Sequence, residues 1–243
     1  GLPSVLLGVL TFWLLPNSVE SASWLSSSEK QAVLRELARD EGDAKGLKHS
    51  LRDGLLNIRV VMLGGIDFSI LLSAYAMGFW MPTFIKNAGT TDITTIGYLT
   101  AIPSLAALIG MLAIGASSDR LRERRWHIIV PFIIGAAAMG TSTFFPHNVA
   151  MTVLLFSIAQ AMIIGAVPVF FSLPATFLKG TAAAAGFALA CSIANIAGLV
   201  SNSVMGVALD LTGSSNGALW FFAVCLLLSS LLVVALPAKL VNR

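Results

Sequence analysis

The chain has 243 residues, 56% apolar and 11% charged, with 15 basic and 12 acidic side chains and a mean hydropathy of +0.86. Soluble domains carry roughly 25% charged residues, so a water-soluble globular protein is excluded and a bilayer is the solvent for most of the chain. Both cysteines, Cys191 and Cys225, lie in apolar runs, which excludes a disulfide framework and a zinc site.

Residues 2–16 form an apolar run shorter than the ~20 residues that a crossing needs, and they read as the remainder of a helix that begins upstream. A secretory signal with small residues at Ser21-Ala22-Ser23 is the rival reading, but no basic segment precedes the apolar stretch. Residues 17–57 are the one sizeable polar segment. Within it Ser26 to Glu29 form a capping-box pattern ahead of Val33, Leu34, Leu37 and Ala38, with Gly42 as the stop. This predicts a short amphipathic helix in a solvated connector. A lipid-binding helix is the alternative, although its charges are mixed rather than polybasic. Six further runs are long enough to span: 60–85, 93–116, 128–145, 149–172, 182–209 and 218–236. Each is continuously apolar, without the alternation of a barrel strand, so helices are predicted.

Lys and Arg near span ends stay on the cytoplasmic side. Fourteen of the 15 basic residues fall on one face when the six crossings alternate, and Lys86 alone falls on the other. Arg120, Arg122, Arg124 and Arg125 share one turn of the basic face. The pattern predicts a cytoplasmic C-terminus, and it explains the Arg cluster without nucleic acid as a partner.

Two places echo each other. Phe79-Trp-Met-Pro-Thr-Phe-Ile-Lys86 and Phe171-Ser-Leu-Pro-Ala-Thr-Phe-Leu-Lys179 each close the first helix of a triplet, and the next helix ends in Gly115 to Asp119 or Gly206 to Asp210. The six spans therefore read as two groups of three. An odd number of crossings per group inverts the second copy, an arrangement associated with transporters that bind at the midplane.

Asp67 is the formally charged residue well inside a predicted span, where a carboxylate costs several kcal/mol unless protonated, paired or wetted. Its helical face continues through Leu71, Tyr75, Gly78 and Pro82, making it a candidate for binding a coupling H⁺ or Na⁺; the bland reading places it near enough to the cytoplasmic end to reach water. In the fifth span Ala188, Cys191, Asn195, Gly198, Asn202 and Gly206 form one small or polar stripe, either a substrate pathway or a close-packing surface. Gln160 is a similar candidate in the span before. His49, His127 and His147 are scattered, and no Ser/His, Cys/His or paired-carboxylate set appears, so no enzyme, cofactor or metal site is predicted.

The segment Gly115-Ala-Ser-Ser-Asp119-Arg120-Leu-Arg-Glu-Arg124-Arg125 resembles the cytoplasmic loop of the major facilitator superfamily, G-x-x-x-D-R-x-G-R-R. Together with Tyr75-Ala-Met-Gly-Phe-Trp-Met-Pro-Thr-Phe-Ile-Lys86, Ser118-Asp-Arg-Leu-Arg-Glu-Arg-Arg-Trp-His127 and Leu178-Lys-Gly-Thr-Ala-Ala-Ala-Ala-Gly186, it is similar to the anion:cation symporter family, which includes permeases for tartrate, hexuronate, galactarate and phthalate.

This resemblance implies an all-α polytopic membrane protein: the six-helix C-terminal half, built from two inverted three-helix repeats. Residues 1–16 would end helix six, 17–57 form the central cytoplasmic loop, and 58–243 form helices seven to twelve. The implied function is secondary transport of a small organic anion with H⁺ or Na⁺ across the inner membrane, in partnership with an N-terminal six-helix half that holds the anion-binding Arg. Substrate contacts are implied for Tyr75, Trp80, Gln160, Cys191, Asn195 and Asn202. Gly115, Asp119, Arg120, Arg124 and Arg125 would form the loop that biases the inward/outward equilibrium. Three departures stand out. Arg122 replaces the family's glycine, which predicts a looser turn; Cys191 replaces an asparagine; and Phe170-Phe171 lacks an indole before the helix-ten proline. The rivals are a non-transporting fragment that only packs against partners, an intramembrane enzyme, and a homodimer of halves.

Overall fold

The computed structural model describes residues 2–45, 57–173 and 180–237; the side chains of 39–45 and 180–184 are not described. The motif residues Leu178 and Lys179 and the terminal Lys239 and Arg243 lie outside the described residues. The chain separates into two units, Gly1–Lys48 and His49–Arg243.

The first unit holds α1 (Leu2–Leu14) and α2 (Ser27–Lys45). The capping box forms: Ser26 N–H donates to Glu29 Oε2 at 2.9 Å, and Glu29 N–H donates back to Ser26 Oγ at 3.3 Å. These bonds satisfy two amides that a helix start leaves open. Gly42 does not stop the helix, which continues to Lys45. A glycine costs an interior helical position only ~1 kcal/mol, and no proline follows to force an end.

The second unit is a bundle of α3 (Ile58–Asn87), α4 (Ile93–Leu121), α5 (Trp126–Ser142), α6 (Val149–Gly165), α7 (Val167–Phe171), α8 (Gly180–Asn195), α9 (Ala197–Thr212) and α10 (Asn216–Ala235). Five helical stretches are long and apolar enough to cross a membrane: 58–87, 93–121, 149–171, 185–212 and 216–235. The run predicted at 128–145 forms the 17-residue helix α5, which ends before Pro146 because proline cannot continue the i→i−4 ladder. Two predicted spans are broken. Pro168, at the second position of α7, lacks the amide that would extend α6. At Ile196 the amide switches to the Ile193 carbonyl at 3.3 Å, next to Asn195, whose Nδ2 bonds back to the Cys191 carbonyl at 2.8 Å.

The two triplets pack as counterparts. α3 runs parallel to α8–α9 and packs on both, and α6, the first helix of the second triplet, runs parallel to α4 and packs on it. Both seams depend on small residues. A Cβ on Gly64 would lie 3.1 Å from Ile193 Cδ1, and one on Gly110 would lie 2.1 Å from the Ala161 carbonyl oxygen. Close approach of this kind lets dispersion hold helices together where lipid offers no hydrophobic contrast. α5 and α10 pack against each other, and Ile66, Phe132, Ile163 and Phe222 fill the interior. The outward rows of α4 (Leu105, Leu108, Ile109, Leu112) and α9 (Leu199, Val207, Leu211) are exposed apolar surface.

The turns after the second helix of each triplet also correspond. Arg122, three residues after Asp119, and Gly213, three residues after Asp210, both end their helices in the left-handed region, at φ 50° and 66°. The turn at Arg122 is not loosened by the missing glycine: Glu123 N–H reaches the Ser118 carbonyl at 3.1 Å and closes the helix end.

Candidate functional site

The α3 interface with α8 and α9 gathers most of the residues singled out from the sequence. At its lower end Asp67 is 3% exposed and makes no hydrogen bond or ion pair among the described residues. Cys191 of α8 is half-buried and next in sequence to Ala190, which packs against Gly64 of α3. One turn before Asp67, Gly64 and Ala190 bring the two backbones together. Higher up, the Tyr75 ring lies over Gly198, where a Cβ would meet Cε2 at 3.2 Å. Trp80 Nε1–H donates to Asn202 Oδ1 at 3.1 Å, while Asn202 Nδ2 donates to the Gly198 carbonyl at 3.0 Å. From Asp67 to Trp80 the helix rises ~20 Å, so a buried acid at one end is joined to an aromatic, amide-lined stretch at the other.

The stripe on the fifth span is not the packing face itself. That face is Ala190, Ala194, Ala197, Ser201 and Met205, all buried, with Ser201 Oγ donating to the Leu72 carbonyl at 2.9 Å. Cys191, Gly198 and Asn202 flank it and are half-buried, whereas Asn195 is exposed and bonded to its own helix. Gly206 has no neighbour that a Cβ would touch, so close packing does not explain it. Gln160 stands apart on α6, with its Oε1 buried and without a hydrogen-bond partner among the described residues. An amide oxygen left unpaired away from water costs ~1–3 kcal/mol.

A serine row on the neighbouring side of α3 escaped the sequence reading. Ser69 and Ser229 of α10 are joined at 2.7 Å, and Ser73 is fully buried with a hydroxyl that has no partner among the described residues. The i, i+4 spacing of Ser69 and Ser73 was the available signal, but serine is unremarked in a membrane helix because it bonds back to its own backbone.

At the Arg-rich turn, Asp119 and Arg120 are exposed, while Gly115, Arg124 and Arg125 are half-buried. Arg125 reaches the Val234 carbonyl near the end of α10. Glu123 caps α5 by accepting from Trp126 N–H at 2.9 Å, and His127 bridges Glu123 and Ser117, with both contacts at 2.9 Å. The loop is thereby tied to α4, α5 and α10 at once.

Apolar helices with exposed apolar flanks, paired through small residues around a seam holding a buried acid, define a polytopic helical membrane protein of the transporter kind. The chain belongs to the Major Facilitator Superfamily, whose sequence profile matches residues 1–201. It is 72% identical over 242 residues to the "Putative metabolite transport protein NicT" of Pseudomonas putida, covering 100% of this chain and 55% of that protein. It is 34% identical over 241 residues to a "Quinolone resistance transporter" of Acinetobacter baumannii (99% of this chain, 55% of that one). A "Putative tartrate transporter" of Agrobacterium vitis is 33% identical over 238 residues (96% and 52%). The chain spans about half the length of these relatives. It is a multi-pass membrane protein of a transporter family, not an enzyme.

Proposed function

We propose that this chain is the C-terminal half of a secondary active transporter that moves a small organic anion, of the sugar-acid, dicarboxylate or aromatic carboxylate class, together with H⁺ or Na⁺. The observation that carries the reading is the seam itself: an unpaired, buried Asp67 shares one helical face with Tyr75 and lies on the same interface as the Trp80–Asn202 hydrogen bond. An intramembrane acid facing a neighbouring helix rather than lipid is a proton or cation site by default. Indole and amide groups beyond it offer donors to a substrate oxygen. Gln160 and Asn195 add hydrogen-bonding capacity from α6 and α8, and Cys191 flanks the same packing face of α8. The tartrate-transporter relative supports the anionic substrate class.

In this reading the N-terminal half supplies the remaining contacts, including a cation for the carboxylate. The basic turn from Gly115 to Arg125 faces the cytoplasm, as does the C-terminus, and the membrane is the inner membrane. Alternating access is rocking of the two halves, with Asp119 and Arg120 presented at the surface where partner helix ends can engage them. The test is uptake of labelled tartrate, galactarate and phthalate by vesicles containing the full-length transporter, with and without an imposed gradient of H⁺ or Na⁺. Gradient-driven accumulation of at least one acid is expected; no accumulation of any carboxylate would reject the substrate class.

A further inference from the structure

Two serines near the end of α4 send their hydroxyls off the helix. Ser157, Ser192 and Ser230 each donate to the carbonyl four residues earlier, as hydroxyls in membrane helices do. Ser118, 2% exposed, donates instead across the turn to the Glu123 carbonyl at 2.7 Å, and Ser117 Oγ meets His127 Nε2 of α5 at 2.9 Å. His127 Nδ1 lies 2.9 Å from Glu123 Oε2, and the same carboxylate accepts from Trp126 N–H. A carboxylate only accepts, so Nδ1 carries the proton, and Nε2 of the neutral ring accepts from the Ser117 hydroxyl.

These bonds close a circuit that runs from α4 through the turn into α5 and back to α4. Its two anchors in α4 are consecutive, Ser117 half-buried and Ser118 buried. Successive helical residues are about 100° apart, so the anchors hold one face of the last turn inward and leave Asp119 and Arg120, both exposed, on the other. The order serine, imidazole, carboxylate is that of a nucleophilic triad. Ser117 lies inside α4, however, where backbone amides are spent on the helix ladder rather than open as an oxyanion hole. The circuit therefore holds two helix ends together and has no part in a reaction.

We infer that His127 is a positioning residue for the transport cycle: through Ser117 and Glu123 it fixes the rotation of the last turn of α4, and with it the direction in which Asp119 and Arg120 face the partner half. This role rests on the proposed transport function, in which those two residues engage partner helix ends. The two ring nitrogens are separable by substitution. An asparagine amide falls near the place of Nδ1 and keeps the Glu123 contact, which stays within the turn and α5. A glutamine amide falls near the place of Nε2 and keeps the Ser117 contact, which crosses between helices.

The test uses the purified full-length transporter, in vesicles for uptake of whichever of tartrate, galactarate and phthalate the native protein accumulates fastest, and in detergent for trypsin cleavage of the 119–125 turn. His127→Ala is expected to lower the uptake rate per folded transporter about tenfold, with KM within about twofold of native, and to speed cleavage of the turn. His127→Gln is expected to restore most of the rate and the native cleavage, and His127→Asn neither. Ser117→Ala, which deletes one hydroxyl, takes the place of His127→Ala if that variant does not fold. Because His127 acts through the turn, adding His127→Ala to Asp119→Asn is expected to cost less than about twofold more, whereas a merely structural loss would multiply. The proposal is overturned if the losses multiply, if cleavage is unchanged in His127→Ala, or if His127→Gln restores no more than His127→Asn. No accumulation of any of the three acids by the native protein would reject the transport function, with the cleavage rates still deciding the hold on the turn; accumulation together with native cleavage in His127→Ala would do the reverse.

Discussion

Arg122 and Gly213 hold the same left-handed backbone conformation at corresponding places in the two triplets, three residues after Asp119 and Asp210. Glycine adopts that conformation without strain, whereas a side chain crowds the following carbonyl at a cost of ~1 kcal/mol. Arg122→Gly is therefore expected to raise the thermal midpoint of the purified protein, and Gly213→Ala to lower it by a similar amount. Equal and opposite shifts in a detergent-solubilised melt would establish the two turns as equivalent; no gain from Arg122→Gly would mean that the guanidinium contributes contacts that offset the strain.

The Trp80–Asn202 bond joins α3 to α9 at the upper part of the seam. Hydrogen bonds between membrane helices average ~0.6 kcal/mol in double-mutant cycles. Trp80→Phe, Asn202→Ala and their combination should therefore show a coupling of that size in stability. Their effect on uptake should be larger than this, because both groups are offered to the substrate in the proposed function. A coupling indistinguishable from zero would remove the bond from the account of the seam.

Gly110 makes the closest approach to a neighbouring helix among the described glycines, with a Cβ there placed against the Ala161 backbone oxygen. Backbone cannot swing aside as a side chain can, so Gly110→Ala must push α4 and α6 apart and is expected to destabilise by ~1–3 kcal/mol. Gly78→Ala, where a Cβ meets nothing within 4 Å, is the control and should be neutral or slightly stabilising. Detergent-unfolding midpoints of the two variants decide the matter; equal midpoints would contradict the geometry.

In the proposed function, coupling rests on Asp67. Asp67→Asn removes the titratable group at nearly constant volume, so the fold should persist while gradient-driven accumulation falls to simple exchange. Uptake that kept its full dependence on the gradient would take the coupling role away from Asp67.

Asp92 offers a pH test outside the membrane helices. Its carboxylate accepts from Thr95 Oγ1–H at 2.5 Å and from Thr95 N–H at 2.8 Å, which holds its pKa below the ordinary 3.8. A group depressed in the folded state contributes stability that is fully present above its unfolded value and fades as pH falls through the folded one. The N-terminus of α4 should accordingly weaken only in acid below pH 3.8. Asp92→Asn, which keeps an acceptor oxygen but cannot titrate, should flatten that limb of the stability profile; an unchanged limb would assign acid sensitivity elsewhere.

Much of this architecture was readable in advance because a bilayer imposes long uncharged helices and sorts arginines to one side. The triplet repeat, too, was visible in the echo of Phe79–Lys86 and in the paired Gly-x-x-x-Asp turns. The breaks at Ala166 and Ile196 were hidden, since apolar composition does not register a lost hydrogen bond in mid-run. Of the candidate site, Trp80 meets Asn202 and Tyr75 lies over Gly198 on one interface. Asn195, read as their equal, points its amide into its own helix.

The amino-acid sequence by itself determined the solvent, the helices, the inverted pairing and the family, because each follows from hydrophobic run length, charge placement and short motifs. The tertiary structure alone decided which polar groups meet. Whether Asn202 reaches Trp80 and whether Ser69 pairs with Ser229 both depend on the rotation and depth of one helix against another. Those are set by the close approach of small residues such as Gly64, Gly110 and Gly198, a steric match between distant segments that no local pattern encodes.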